Sequence, residues 1–414
     1  FIAALLSKEY AITLLAVLPV AAYTLRGYTA SDAIKSIRLL MLIFVAYALI
    51  RGKIVGWGAP EQLDPLNNAY VFATGTEKAA TKLYILLKYF MLLFWPFPLS
   101  ADYSYAQIAY RSFSSWDVWA SILLHATLIY ATVRLVLQRN VYGLSGVIYF
   151  SNLFLVSNLV FNIGASMGER FLFHSSFAFC LAIGLGWQQL QDRLKPGAFT
   201  LLTNTVLATI LVSSLMIIIP RNRDWKNSYT LFLRDVNTSP NSALCNANAA
   251  VALVHMAFEP AHSTEKNSLL KKAIVYSERA TSIHPGFGNA YFNEAVCYYH
   301  LGNYDSAFVF WDKGFTVFDS KPHKTTFAAL VYKRALSEGE NKQFGSAIKL
   351  LEWACKTEPG IAAYWSDLGG AYFSVNRLED AKACWEKALS IDPANEQANK
   401  ALPFIKMKLA EARQ

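Results

Sequence analysis

The sequence predicts an all-α protein in two parts: a polytopic helical membrane body over residues 1–220, then an α-solenoid of repeats. Three observations predict it. Residues 1–220 place 15 Lys/Arg and 9 Asp/Glu between long apolar runs. Residues 221–414 hold 23 and 20, the charge density of a solvated surface. Beyond the seam Pro220-Arg221-Asn222-Arg223-Asp224-Trp225, small and large side chains recur near a 34-residue period.

With 414 residues, the chain has room for two or three domains. The pattern divides it into a multi-pass body (1–220), a junction (221–240), about four repeats (241–394) and a capping helix (395–414). The basic excess falls mainly in the membrane half, and no clustered basic stripe argues for nucleic acid. The opening Phe1-Ile2-Ala3-Ala4-Leu5-Leu6 lacks the charged segment and cleavage site of a signal peptide. It reads as the tail of an upstream membrane helix. The five cysteines have no metal-ligand spacing, so each reads as a packed thiol and no metal is expected.

A helix needs about 20 apolar residues to cross the hydrocarbon core. Candidate spans are 11–23, 37–50, 118–137, 142–161, 171–190 and 199–219. A seventh stretch, 84–99, has Lys82 and Lys88 at its start and Pro96 and Pro98 at its end. Arg26, Lys35, Arg38, Arg134, Arg139, Arg193 and Lys195 surround three turns that contain only Asp32 and Asp192 as acids. By the positive-inside rule these turns face the cytoplasm. Parity then makes 84–99 interfacial or re-entrant. The span 199–219 delivers the repeats to the other side: periplasm at a bacterial inner membrane, or lumen at an ER membrane. Asn237-Thr238-Ser239 is a formal glycosylation sequon followed by Pro240.

In the second half, Ala273, Ala307, Ala347 and Ala381 recur at intervals of 34, 40 and 34. Trp311, Leu351 and Trp385 follow one turn after three of them, and Pro285, Pro359 and Pro393 close the units. This is the tetratricopeptide pattern: the alanine lets paired helices approach, the large residue fills the groove, and the proline ends the second helix. The last unit is the most complete, with Trp365, Leu368, Gly369, Tyr372 and Ala388 in place. The unit from Gly288 departs with Glu294 and Asp319, and the third has about six extra residues near 320–326. Trp311 and Trp385 read as repeat core. Pro403 is expected to kink the capping helix.

Four short motifs carry a resemblance: Leu6-Ser7-Lys8-Glu9, Asp64-Pro65-Leu66-Asn67-Asn68, Ser166-Met167-Gly168-Glu169-Arg170-Phe171-Leu172-Phe173, and Arg221-Asn222-Arg223-Asp224-Trp225. In this order, with the membrane-then-repeat layout, the chain resembles the transmembrane-and-tetratricopeptide protein O-mannosyltransferases and their bacterial relatives. That resemblance implies a body of the GT-C type, here partial, and a polyprenyl- or dolichyl-phosphate sugar as donor. It also implies a catalytic acid in a first outer loop upstream of Phe1, so no residue shown is assigned that role.

Such a transfer needs cations to hold the departing phosphate and apolar grooves to hold the lipid. Charge at membrane depth is costly and marks pairing or a site. The lipid-phosphate-binding candidates are Arg170, Lys8, Glu169, Glu9, Arg51, Lys53 and His174. Arg170 ranks first because a guanidinium binds phosphate oxygens bidentately. Lys8 follows, with Glu9 and Glu169 as partners that orient the cations. Arg51 and Lys53 also suit snorkelling to headgroups. Asp64 and Asp102 are outer-loop carboxylates. Two readings stay open: a glycosyltransferase whose repeats present a protein acceptor, and a membrane-anchored scaffold whose repeats recruit partners.

Overall fold

The structure is a computed structural model describing residues 1–56, 64–160 and 162–411. Residue 161 of the expected span 142–161 and residues 412–414 of the capping segment lie outside the described residues. Among the described residues the regular structure is entirely helical. Two compact units divide at Gly302 and Asn303.

The first unit opens with α1 (Ile2–Ser7), a 3-10 turn (Glu9–Thr13) and α2 (Leu14–Leu25). Then come α3 (Ala30–Ser36) and α4 (Arg38–Val55), bent by 50° at Ile37. Next, α5 spans Gly75–Phe94. It begins well before the apolar stretch at 84 because Thr74 and Glu77 form a reciprocal capping box. Helices α6 (Trp116–Leu137), α7 (Val141–Val156), α8 (Phe173–Gln191, after a 3-10 turn at Glu169–Leu172) and α9 (Pro196–Asp224) complete the apolar part.

Three helical segments among the described residues are long and apolar enough to cross a membrane: Trp116–Leu137, Glu169–Gln191 and Pro196–Asp224. The bent α3 and α4 pair makes a fourth if counted as one span. This is fewer than the six candidates in the sequence. A span of about 30 Å needs about 20 residues at 1.5 Å each. The 3-10 turn interrupts 11–23, and α7 stops at Ser157 after 16 residues. Helix α7 is instead an inner helix. It packs on α2, α6 and α8, and buries Tyr149, Leu153 and Val156 in a cluster with Tyr89 and Met167. Gly146 permits the close α6 to α7 approach, since a Cβ there would collide with Thr132.

The helix expected to end at Pro220 runs on to Asp224 with the proline inside it. Proline forfeits one ladder bond. Arg221 and Arg223 in the last turn complement the carbonyl end of the helix dipole.

Still in the first unit, α10 (Ser228–Thr238), α11 (Ala243–Ala257), α12 (Lys266–Ile283) and α13 (Gly288–His300) follow. Ala250, Ala273 and Cys297 are fully buried between α11, α12 and α13. The polar loop before α12 is a 3-10 turn, Pro260–Glu265.

The second unit holds α14 (Tyr304–Val317), α15 (Lys321–Glu340), α16 (Phe344–Thr357), α17 (Ala362–Ser374), α18 (Leu378–Ile391) and α19 (Glu396–Glu411). The extra residues near 320–326 lengthen α15 to 20 residues, against 13 in α17. Helix α19 continues through Pro403. Trp311 packs 4.3 Å from Phe327, and Trp385 donates its indole N–H to the Ser366 carbonyl at 3.0 Å. Both tryptophans are buried, as repeat core requires.

Gly369 faces Trp385, where an added Cβ would lie 2.7 Å from the indole nitrogen. Gly369→Ala is expected to cost about 1–3 kcal/mol by overpacking. At neighbouring Gly370, a Cβ meets only Gln397 at 3.4 Å. Gly370→Ala should therefore be neutral or stabilising, and thermal unfolding of the two variants separates them.

Candidate functional site

The site is built around the entry to α8. Gly168 donates its N–H to the Tyr89 hydroxyl at 3.1 Å, and Ser166 donates its hydroxyl to the Tyr103 carbonyl. These bonds fix the turn that presents Glu169 and Arg170. Glu169 Oε1 accepts from the Ser100 N–H at 2.6 Å and from the Tyr103 hydroxyl at 2.5 Å. Its partners are thus a loop 66 to 69 residues earlier, not Arg170.

The Arg170 guanidinium lies over the Phe171 ring at 5.0 Å. It is exposed, and no carboxylate lies within ion-pairing distance of it among the described residues. With Glu169 it edges a cavity of about 510 Å³ walled by Leu92, Leu93, Leu99, Phe173 and Phe179. Cys180 also lines this cavity; it is exposed, whereas Cys245, Cys297, Cys355 and Cys384 are buried. The packed-thiol reading therefore fails for Cys180, whose helix position faces a groove.

Contacts tie some of the other predicted residues to the same helix end. His174 stacks on Tyr10 at 4.3 Å, which brings the Lys8-Glu9-Tyr10 segment to the first turn of α8. Glu9 pairs with Arg51 at 3.0 Å rather than with Lys8. Both partners of that pair are well exposed, so it contributes at most about 1 kcal/mol. Lys8 sits at the C-terminal end of α1, and Lys53 lies in the last turn of α4; both are exposed. Asp64 closes an Asx turn by accepting from the Leu66 N–H at 3.0 Å. It also approaches His284, whose pKa burial lowers and the carboxylate raises.

Behind Glu169 lies a group of polar residues of which the sequence marked Asp102 and Arg221 but not Asp235. Arg221 binds Asp235 at 3.0 Å and Asp224 at 3.5 Å. Asp235 also accepts from the Ala101 N–H at 3.1 Å. Burial pushes the Asp235 carboxyl above the usual range, opposed by that N–H and by Arg221. Asp102 Oδ2 accepts from Ser104 Oγ at 2.6 Å and Ser242 Oγ at 3.1 Å. Backbone bonds from Ala106 N to Asn241 O and from Ala243 N to Tyr105 O tie the same loop to the start of α11. The sequence signals were the outer-loop carboxylate Asp102 and the Arg221 to Trp225 motif; a single aspartate on amphipathic α10 gives none. Among the described residues no group of three or more His, Cys, Asp or Glu is placed to hold a metal.

A family model described as a tetratricopeptide repeat matches residues 362–395. An all-α protein with membrane-length apolar helices and tetratricopeptide repeats is the class that fold and match define. Protein O-mannosyl-transferase TMTC3 of Mus musculus is 25% identical over 265 residues, 61% of this chain and 27% of that protein. The Homo sapiens TMTC3 is 24% identical over 264 residues, with 62% and 27% covered. Protein O-mannosyl-transferase F38B6.6 of Caenorhabditis elegans is 26% identical over 219 residues, with 52% and 30% covered. The chain is thus similar to TMTC proteins over 61–62% of its length, and it spans about a quarter of the length of its mouse and human relatives. Among solved structures, a crystal structure of MamA protein aligns with a TM-score of 0.29 at 15% identity, covering 46% of this chain and 92% of that one.

Proposed function

We propose that the protein is a multi-pass membrane glycosyltransferase of GT-C type. It transfers a sugar, mannose by resemblance, from a polyprenyl or dolichyl phosphate to a protein acceptor presented by the repeats. The observation that carries this reading is Arg170: an exposed guanidinium without a carboxylate partner among the described residues, at the edge of an apolar cavity. That is the chemistry a lipid phosphate requires. The cavity walls take the isoprenoid, and the guanidinium takes phosphate oxygens whose charge grows as the sugar departs. Lys8 and His174, held near the same helix end, add donors around the headgroup. The names of the relatives support the activity, and the repeats support a peptide-like acceptor. Placement is at a bacterial inner membrane with periplasmic repeats, or at an ER membrane with lumenal repeats.

The test is transfer itself. The full-length protein, reconstituted in vesicles with a radiolabelled polyprenyl-phosphate mannose and an acceptor polypeptide, is expected to label the polypeptide. If nothing is labelled and no lipid phosphate binds, while the repeats still retain protein partners, the scaffold reading replaces this one.

A further inference from the structure

A second cavity, of about 490 Å³, lies next to the Arg170 cavity, and both are lined by Leu92. Tyr103 lines the second cavity and Glu169 lines the first, and a 2.5 Å hydrogen bond joins them. The two cavities differ in character. The Arg170 cavity is walled by aliphatic and phenyl groups. The second is also mostly apolar, with Phe90, Phe94 and Trp95 in its wall, but adds the polar groups of Lys88, Tyr103, Gln107 and Thr238. Its volume falls within the range of small-molecule sites, about 300–1,000 Å³.

We propose that this second cavity seats the sugar of the lipid-linked donor; the assignment rests on the reading of Arg170 as the phosphate contact. A phosphate at Arg170 with its isoprenoid along Phe173 and Phe179 leaves the sugar to cross Leu92. There it meets groups suited to a hexose. Trp95 is 65% exposed, and its ring stacks on no other among the described residues. The electron-rich face of an indole attracts the polarised C–H groups of a pyranose. Lys88 lies 5.4 Å from the Tyr84 ring and has no carboxylate within ion-pairing distance among the described residues. Its ammonium can donate to hydroxyls. Gln107 Oε1 is taken by the Asn241 N–H at 2.9 Å, which fixes the side chain and leaves its NH₂ to donate. The Tyr103 hydroxyl donates its hydrogen bond to Glu169, and its oxygen remains free to accept another. The polar groups of Lys88, Gln107 and Tyr103, set in an otherwise largely apolar wall, distinguish this site from a groove for lipid tails alone.

The test compares two lipids on the purified full-length protein: polyprenyl phosphate and polyprenyl-phosphate mannose. The wild type is expected to bind the sugar-bearing lipid about tenfold more tightly, the scale of one hydrogen bond to a charged group. Trp95→Ala and Lys88→Ala should shrink that preference to about twofold or less and leave the affinity for bare polyprenyl phosphate unchanged. A wild type without preference, or variants that keep it, would overturn the sugar subsite while lipid-phosphate binding at Arg170 stands. Equal weakening of both lipids by Trp95→Ala would also overturn it, making Trp95 a membrane-interface anchor. Failure of the wild type to bind either lipid removes both assignments.

Discussion

Arg170→Ala in the full-length protein is expected to weaken binding of polyprenyl phosphate by about 10- to 150-fold. A hydrogen bond to a charged group contributes about 1.5–3 kcal/mol, and 1.4 kcal/mol is a factor of ten. The side chain is exposed and its ring contact is to its own neighbour Phe171, so its removal opens no cavity. Thermal stability should stay within about 0.5 kcal/mol of wild type, as for surface substitutions. Arg170→Lys keeps the charge but loses the planar fork, and should recover only part of the affinity. Added salt should weaken the wild-type interaction, because an exposed cation is screened. Unchanged affinity in a folded Arg170→Ala protein would remove Arg170 from the site and transfer the phosphate to the Lys8 segment.

Arg221→Ala should act through stability instead. Arg221 is 13% exposed and Asp235 4% exposed, and they meet at 3.0 Å. Removing one partner of a buried pair leaves an uncompensated charge and costs about 3–5 kcal/mol. The loss should depend on pH in a defined direction. The folded Asp235 already titrates above its unfolded value because of burial. The stability this group contributes is therefore full below the unfolded carboxylate pKa and is lost as pH rises through the folded one. Without Arg221 the folded value rises further. The defect should be largest near neutrality and shrink as the pH falls toward the carboxylate range, where protonation removes the stranded charge. Melting temperatures of wild type and variant across that range decide it; a defect that grows in acid contradicts the role assigned to Asp235.

Much of the helical architecture was legible because its signals are local. The Ala381, Trp385 and Pro393 pattern specifies a helix pair within one 34-residue window, and α17 and α18 adopt it. Composition likewise marked 118–137, 171–190 and 199–219, since an unbroken apolar run needs no tertiary partner to declare itself. The failures have physical causes. The run at 142–161 reads as a span by composition, yet Asn158 takes a positive φ and the helix has already ended. A buried inner helix and a lipid-facing one share the same hydropathy. Pro220 looks like a helix end, but an arginine with an aspartate on the next helix holds the turn beyond it.

The site was legible only in part, for a similar reason. Arg170, Glu169, Lys8 and Glu9 drew notice because charge beside an apolar run is conspicuous. Their partners were not, because Glu169 bonds to Ser100 and Tyr103, and Asp235 to Ala101, across 66 to 134 residues of chain. No periodicity links residues so far apart. The cavities depend on the same long contacts, since each is walled by the segment around Leu92 and by groups from later helices.

By itself, then, the sequence determined the helical class, the repeat register and the abrupt change from sparse to dense charge at residue 220. Each follows from side-chain spacing within a turn or two, or from local composition. Only the tertiary structure decided which apolar helices are long enough to span and which lie inside. It also decided that Glu169 closes on the Tyr103 loop while Arg170 stays open to a cavity. Those outcomes depend on which distant polar groups pack against the Glu169 carboxylate, and that is set by tertiary contacts, not by sequence neighbours.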